Sequence, residues 1–96
     1  MPKYVIERTV PGAGQMDQEG LAAIAAHSNS VLRDLGPDIQ WVHSYVTDDK
    51  ITCVYIAANA DIVREHGRRG GFPVDNVLEV HAVIDPTTAD LAALVS

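Results

Sequence analysis

Cysteine and basic residues are both scarce in this chain. A single cysteine, Cys53, among 96 residues excludes an internal disulfide, as expected of a protein in a reducing cytoplasm. Lys and Arg together number 7 against 13 Asp and Glu, which gives a net charge of −6. Because affinity for phosphate requires basic surface, this charge argues against a general nucleic-acid binder.

Long apolar runs are also missing. No stretch approaches the ~20 apolar residues of a membrane-spanning helix, and the residues after Lys3 do not form the apolar core of a signal peptide. No repeat, low-complexity segment or linker interrupts the chain. An apolar fraction of 47% suits one domain, residues 1–96, with a two-layer core, and we expect it in the cytoplasm, away from membranes.

The chain does contain alternating strand-like and helix-like segments. Residues 3–10 alternate as a strand does, and a helical stripe follows between an N-cap at Asp17 and a stop at Gly36. We predict a hairpin over residues 39–57, a second helix after Asn59, a last strand over 76–84, and a short C-terminal helix over 87–95, capped by Asp85. The order βαββαβ predicts an α+β ferredoxin-like fold: four antiparallel strands in the spatial order four-one-three-two, with both helices on one face.

The hairpin's faces depend on the length of its turn. With a three-residue turn of Asp48, Asp49 and Lys50, Tyr45 would pair with Cys53. A two-residue turn would break this register. The longer turn predicts one face with aromatic and reactive groups, which carries Trp41, His43, Tyr45, Cys53 and Tyr55. It predicts an ordinary core face on the other side, which carries Val42, Ser44, Val46, Val54 and Ile56.

The sheet face away from the helices, called the open face below, is where we expect the functional groups. Tyr4 and Ile6 are assigned inward on strand one, which directs Glu7 to the open face. On strand four the inward face is assigned to the apolar set of Leu78, Val80, Ala82 and Ile84. This assignment directs Glu79 and His81 to the open face.

Strand spacing then determines which open-face groups can meet. Neighbouring strands lie ~4.8 Å apart, so Glu7, Glu79 and His81 are predicted to converge on one point. His43 would lie ~14 Å away, at the other edge of the sheet. It could join the hairpin's own aromatic residues or meet the carboxylates of a partner chain.

Three interpretations of the open face remain. Imidazole and carboxylate groups could bind a divalent transition metal, or could perform acid–base chemistry on a small organic ligand held by Trp41, Tyr45 and Tyr55. Alternatively, the polar groups could only satisfy one another at a dimer interface. No compact metal-binding pattern such as HxxxH or CxxC is present. The apolar area of this face predicts self-association as a homodimer.

The second helix contains His66 and a run of glycines. His66 shares a face with Val63, so we expect it near the core edge, hydrogen-bonded and neutral. Each glycine costs ~1 kcal/mol inside a helix, so those at positions 67, 70 and 71 predict an early helix end near His66 or Gly67. A helix that ended there would instead favour protonated His66.

Three segments of the chain also resemble a known family: PKYVIERTVPG, SNSVLRDLGPDIQWVHSYVTDDKITCVYIAAN and IVREHGRRGGFPVDNVLEVHAVIDPTTA. They are similar to a family of small bacterial ferredoxin-like domains of unknown function that is described as nickel-binding. The resemblance covers about Pro2 to Ala89 and implies a dimeric ferredoxin-like domain with nickel as its metal. It implies neither a ligand set nor an enzymatic activity.

Together these observations predict a homodimeric metal-binding protein that buffers or senses nickel rather than an enzyme. The metal ligands expected from the geometry are His81, Glu79 and Glu7, with His43 as a further contributor. The alternative is a module for a small organic ligand, and a purely structural dimerisation domain is the third possibility. We expect neither nucleic acid nor membrane among the partners.

Overall fold

The computed structural model describes the backbone of residues 1–95 and the side chains of residues 1–92. Its strands are β1 (Lys3–Thr9), β2 (Ile39–Val46), β3 (Lys50–Ala57) and β4 (Asn76–Val80). Its helices are α1 (Gln18–Leu35), α2 (Ala60–Gly70) and the short α3 (Asp90–Val95), with 3-10 turns at Ala13–Gln15 and Pro86–Ala89. Within these residues, no helix has the length and apolarity needed to cross a membrane.

The four strands form one antiparallel sheet in the order β2-β3-β1-β4. This is the predicted order, and the ferredoxin-like fold class is confirmed. β1 and β3 are the central strands, and their buried residues form most of the core with Val63 of α2. The core on this helix-covered face comprises Tyr4, Ile6, Ala13, Ile39, Ile51, Cys53, Tyr55, Ala57 and Val63.

The helix boundaries follow local signals. The Asp17 side chain accepts a hydrogen bond from the Gly20 N–H at 2.8 Å, and Asn59 accepts one from the Ile62 N–H at 3.0 Å. Gly36 ends α1 with a φ of 87°, a conformation that favours glycine. The predicted caps and the α1 end are therefore confirmed.

The prediction that α2 ends at His66 or Gly67 is wrong, because α2 continues to Gly70. A Cβ on Gly67 would lie 2.5 Å from Val74 Cγ2, so glycine at this position lets the return loop pack against the helix. This close approach explains why the chain keeps a poor helix former inside α2.

The hairpin turn has two residues, and the predicted three-residue turn is wrong. The Thr47 N–H donates to the Lys50 carbonyl at 2.9 Å, and Tyr45 pairs with Thr52 rather than Cys53. On the other side, β1 pairs Ile6 with Cys53 and Tyr4 with Tyr55. Since paired residues share a face, Cys53 and Tyr55 turn toward the helices, and Val54 and Ile56 turn to the open face. This reverses the assignment of β3.

A bulge in β2 moves Trp41 to the helix side as well. The register shifts between Trp41 and His43, which leaves Val42 as the extra residue. Trp41 therefore pairs with Tyr55 on the helix side, whereas His43 pairs with Val54 on the open face. The open-face assignments of His43 and Tyr45 are confirmed, and that of Trp41 is wrong.

The faces of β4 are also the reverse of the prediction. Tyr4 pairs with Glu79 and Val5 pairs with Leu78, so Glu79 lies on the helix side of the sheet edge and Leu78 lies on the open face. The strand ends at Val80, four residues before the predicted end at 84. The apolar set that includes Leu78 and Val80 is therefore not part of the helix-side core.

Residues 81–95 extend from the sheet as a segment that we call the C-terminal arm. Asp85 caps its 3-10 turn as predicted, by accepting from the Thr87 N–H at 2.8 Å. The apolar side chains of Val83, Ile84 and Leu91 are 71%, 79% and 60% exposed. The radius of gyration is 15.7 Å, whereas a compact chain of this length has about 12.5 Å. The arm thus accounts for an elongated shape with unburied apolar groups.

Candidate functional site

Glu79 and His81 form the one close imidazole–carboxylate pair in the described part of the chain. His81 Nδ1 lies 3.7 Å from Glu79 Oε2 at the β4 edge. The two side chains are 84% and 47% exposed, so both remain accessible to a ligand from solvent. Two donors of this chemistry suit a transition metal but do not complete its coordination shell.

Glu7 does not join this pair. It pairs with Asn76 on the open face, and its Oε1 accepts a hydrogen bond from Asn76 Nδ2 at 3.2 Å. Glu79 belongs to the opposite face, so the predicted convergence of Glu7, Glu79 and His81 on one point does not occur. The reason is the reversed alternation of β4.

His43 lies on the open face at the far edge of the sheet, in β2. Its ring contacts Tyr45 edge-on, with 4.9 Å between ring centroids. Two strands separate it from β4, so a single chain cannot bring His43 and His81 to one ion. Throughout the described residues, no group of three or more His, Cys, Asp or Glu side chains could hold a metal ion.

The three aromatic residues predicted to hold an organic ligand are divided between the two faces. Tyr45 is exposed on the open face, whereas Tyr55 is buried on the helix side and Trp41 is half-buried there. The predicted aromatic open face therefore does not form as one pocket. Trp41 and Tyr55 instead line a cavity on the other side of the sheet.

This cavity lies between α1 and the β2–β3 half of the sheet and has a volume of about 300 Å³. Its wall is mostly apolar, with a few polar groups, as in small-molecule sites. The lining residues are Arg8, Val10, Leu21, Ile24, Ala25, Ser28, Trp41, Ser44, Val46, Ile51, Cys53, Tyr55, Phe72 and Pro73.

Arg8 is the charged group of the cavity wall. It is 3% exposed, and its guanidinium lies 5.5 Å from the centroid of the Phe72 ring. Nη1 donates to the Pro73 carbonyl at 2.7 Å and Nε donates to Cys53 Sγ at 3.5 Å. Nη2 is buried with no hydrogen-bond partner among the described residues.

A hydrogen-bonded chain of three side chains connects the cavity to α2. His66 Nε2 lies 3.1 Å from Ser28 Oγ, and His66 Nδ1 lies 3.5 Å from the Tyr55 hydroxyl. Burial, aided by the Arg8 charge, lowers the pKa of His66 to about 4, so the predicted neutral, hydrogen-bonded His66 is confirmed. Burial also raises the pKa of Tyr55 to about 12; Cys53 adds to this shift, and Arg8 and Ser28 oppose it.

Sequence reasoning missed this cavity although one signal for it was present. Arg8 continues the alternation of Tyr4 and Ile6, which puts an arginine in phase with core residues on a central strand. A buried arginine is uncommon without a partner, so an arginine at a core-facing position of a strand is by itself a signal of a functional group. The contribution of Ser28 depends on how α1 packs on the sheet, which no local pattern encodes.

Comparisons with known proteins connect this fold to a family. The sequence model described as "Nickel responsive protein SCO4226-like" matches residues 4–80. The chain belongs to this family. The expected resemblance is thereby confirmed, and the C-terminal arm lies beyond the matched residues.

A solved structure shares the fold of this chain. The crystal structure of SCO4226 from Streptomyces coelicolor A3(2) superposes with a TM-score of 0.72 at 15% sequence identity. The similarity covers 85% of this chain and 99% of that one. At this identity the likeness establishes the fold alone. No curated protein matches the chain.

Proposed function

We propose that the chain binds a divalent transition metal, nickel foremost, as the buffering or sensing component of a nickel response. Membership of the nickel responsive family supports the identity of the metal. Imidazole is a favoured ligand of nickel, and carboxylate oxygen is tolerated beside it. The proposal involves binding and requires no catalytic step.

The observation that carries the location of the site is the Glu79–His81 pair, with 3.7 Å between its nitrogen and oxygen. A small rotation of these exposed side chains would direct both donors at one ion. The pair supplies two ligands, so the remaining positions would be filled by water or by a second copy of the chain. Neither His43 nor Glu7 reaches the pair within one chain, so their contribution as ligands requires a second copy that extends to the β4 edge, where the pair lies.

We further propose that the protein is a homodimer built on the open face. Apolar side chains of this face remain partly or largely exposed, and their number is unusual for the surface of a monomer. They are Val5, Val54, Ile56, Leu78 and Val80. The exposed apolar groups of the C-terminal arm would supply a cover of matching chemistry from the second copy.

Calorimetric titration of the untagged protein with nickel tests the metal site. We expect His81→Ala to weaken nickel binding at least tenfold, because a two-donor site loses its imidazole. His27→Ala is the matched control: His27 is exposed on α1, contacts the Gly70 carbonyl and the Phe72 ring, and lies outside the pair. Equal binding by wild type and His81→Ala would remove the proposed site.

A further inference from the structure

The cavity between α1 and the sheet contains a buried cation without a counter-charge. Arg8 is almost completely buried, with only 3% of its surface exposed. In the described part of the chain, no carboxylate forms an ion pair with its guanidinium. A buried charge without a partner is strongly destabilising unless something neutralises it. The unpaired Nη2 therefore indicates a missing acceptor.

A hydroxyl donor accompanies this cation. If the Tyr55 hydroxyl donates to His66 Nδ1, then Nε2–H donates to Ser28, and the imidazole does not take up the Ser28 hydroxyl proton. In the other tautomer Ser28 donates to Nε2, and the imidazole does not take up the Tyr55 proton. In both cases the imidazole leaves one hydroxyl proton for another acceptor, and both hydroxyls belong to residues that line the cavity.

The wall restricts the ligand further. No second basic residue and no acidic residue lines the cavity, so the charge of Arg8 is matched by a monoanion rather than by a phosphate dianion. The remaining wall is apolar and aromatic, including Trp41, Phe72 and Ile24. A volume of about 300 Å³ is at the lower end of small-molecule sites and suits a compact organic body.

We propose that this cavity binds a small organic carboxylate with an apolar body. The carboxylate accepts hydrogen bonds from Arg8 and from the hydroxyl of Ser28 or Tyr55 that does not donate to His66, and the body packs between α1 and Trp41. The site is on the opposite side of the sheet from the open face. It requires no metal, so it can be tested separately from nickel binding.

Trp41 provides the test, because it is the one tryptophan of the chain and it lines the cavity. Metal-free protein is titrated with three compounds. Phenylacetate is the test ligand, 2-phenylethanol is a neutral analogue with the same apolar group, and inorganic phosphate is an anion that has no apolar group. We expect a saturable change in Trp41 fluorescence with phenylacetate. Binding of 2-phenylethanol should be at least tenfold weaker, and phosphate should cause no saturable change.

Arg8→Gln removes the charge, and we expect it to weaken phenylacetate binding at least tenfold. Arg64→Gln is the matched control, since Arg64 is an exposed arginine on α2 outside the cavity. Should Arg8→Gln fail to fold, the comparison of phenylacetate with 2-phenylethanol on wild type still decides the matter. The proposal is overturned if phenylacetate, benzoate and isovalerate all fail to saturate up to about 10 mM. Equal binding of the neutral analogue, tighter binding of phosphate, or unchanged binding by Arg8→Gln would overturn it as well.

Discussion

His66 is buried completely in a chain whose other histidines are all exposed. Its ring lies between Tyr55 and Phe72, with centroids 5.3 Å and 5.4 Å away. Both ring nitrogens have hydroxyl partners, so the neutral imidazole is satisfied where it is. A proton added to this ring would be placed near the Arg8 cation without any carboxylate to offset it.

This burial predicts a loss of stability in mild acid. The His66 pKa is about 4 in the folded protein, against an ordinary histidine pKa of 6.5, so between these values the unfolded chain binds a proton that the folded chain does not. The contribution of His66 is fully present above pH 6.5 and is lost as the pH falls toward 4. At 1.36 kcal/mol per pH unit, the loss is at most about 3 kcal/mol.

Urea unfolding at several pH values between 7.5 and 4.5 measures this loss. His66→Gln should have a flatter dependence of unfolding free energy on pH, because its side chain does not titrate. The three exposed histidines are present in both proteins and cancel in the comparison. Parallel curves for the two proteins would contradict the expected role of His66.

At the scale of elements, the hairpin tip is held by the loop that follows β1. The Asp49 carbonyl accepts from the Val10 N–H at 2.9 Å, and the Asp48 carbonyl accepts from the Gly14 N–H at 3.0 Å. The Asp49 side chain adds a hydrogen bond from the Gly12 N–H at 3.0 Å. These contacts stabilise the two-residue turn. The length of this turn determines which side chains of β2 and β3 lie on each face of the sheet.

Asp49→Ala is expected to lower the unfolding free energy by about 1 kcal/mol, because the Gly12 N–H loses a charge-assisted partner. Asp49→Asn keeps a carbonyl oxygen at this position and should retain most of the stability. Asp48→Ala is the control, since no hydrogen bond of the Asp48 side chain occurs among the described residues. Urea unfolding of the three variants measures the difference, and an equal loss in Asp48→Ala and Asp49→Ala would contradict this account.

The same turn explains how far the elements were predictable. Element order, strand order and the three side-chain caps at Asp17, Asn59 and Asp85 depend on short-range signals, and these predictions are confirmed. The faces of β3 depend on one residue of turn length, and an error of one residue reverses every side chain. That single error moved Cys53 and Tyr55 to the wrong side.

The β2 bulge and the faces of β4 could not be predicted from a local sequence pattern, for a different reason. Val42 is β-branched and fits a regular strand as well as a bulge, so nothing in its neighbourhood marks the register shift. In β4, Val77, Leu78 and Val80 make both faces apolar. The cleaner apolar alternation predicts the inward face, although its members Leu78 and Val80 lie on the open face in the structure.

At the scale of the whole molecule, that outward apolar alternation supports the proposed dimer. Leu78 is 50% exposed on an edge strand, beside the central-strand residues Val5 and Val54. The buried core on the helix side is small and is partly occupied by the cavity. A second copy over the open face would bury these apolar groups and add stability that a single chain of this size has difficulty supplying.

Leu78→Glu is expected to convert the dimer into a monomer. Burial of a leucine contributes about 1.5–3 kcal/mol, and two-fold symmetry doubles the effect, which corresponds to a dissociation constant roughly 10²–10⁴ times weaker. Size-exclusion chromatography with light scattering should give about twice 10.3 kDa for wild type and about 10.3 kDa for the variant. Ala23→Glu adds the same charge on the exposed side of α1 and should remain dimeric. A wild-type mass of one chain, or an unchanged mass for Leu78→Glu, would contradict the dimer.

Ile84→Asp separates the two ways in which the second copy could cover the open face. If two sheets face each other directly, the C-terminal arm stays outside the interface and this variant keeps the wild-type mass. The arm, however, carries Val83, Ile84 and Leu91 exposed and extends a molecule that is 50 Å long. Apolar groups on an extended segment are stabilised when a second chain buries them. We therefore expect Ile84→Asp to weaken the dimer at least tenfold. When the same substitution is added to the monomeric Leu78→Glu variant, the unfolding free energy should not change.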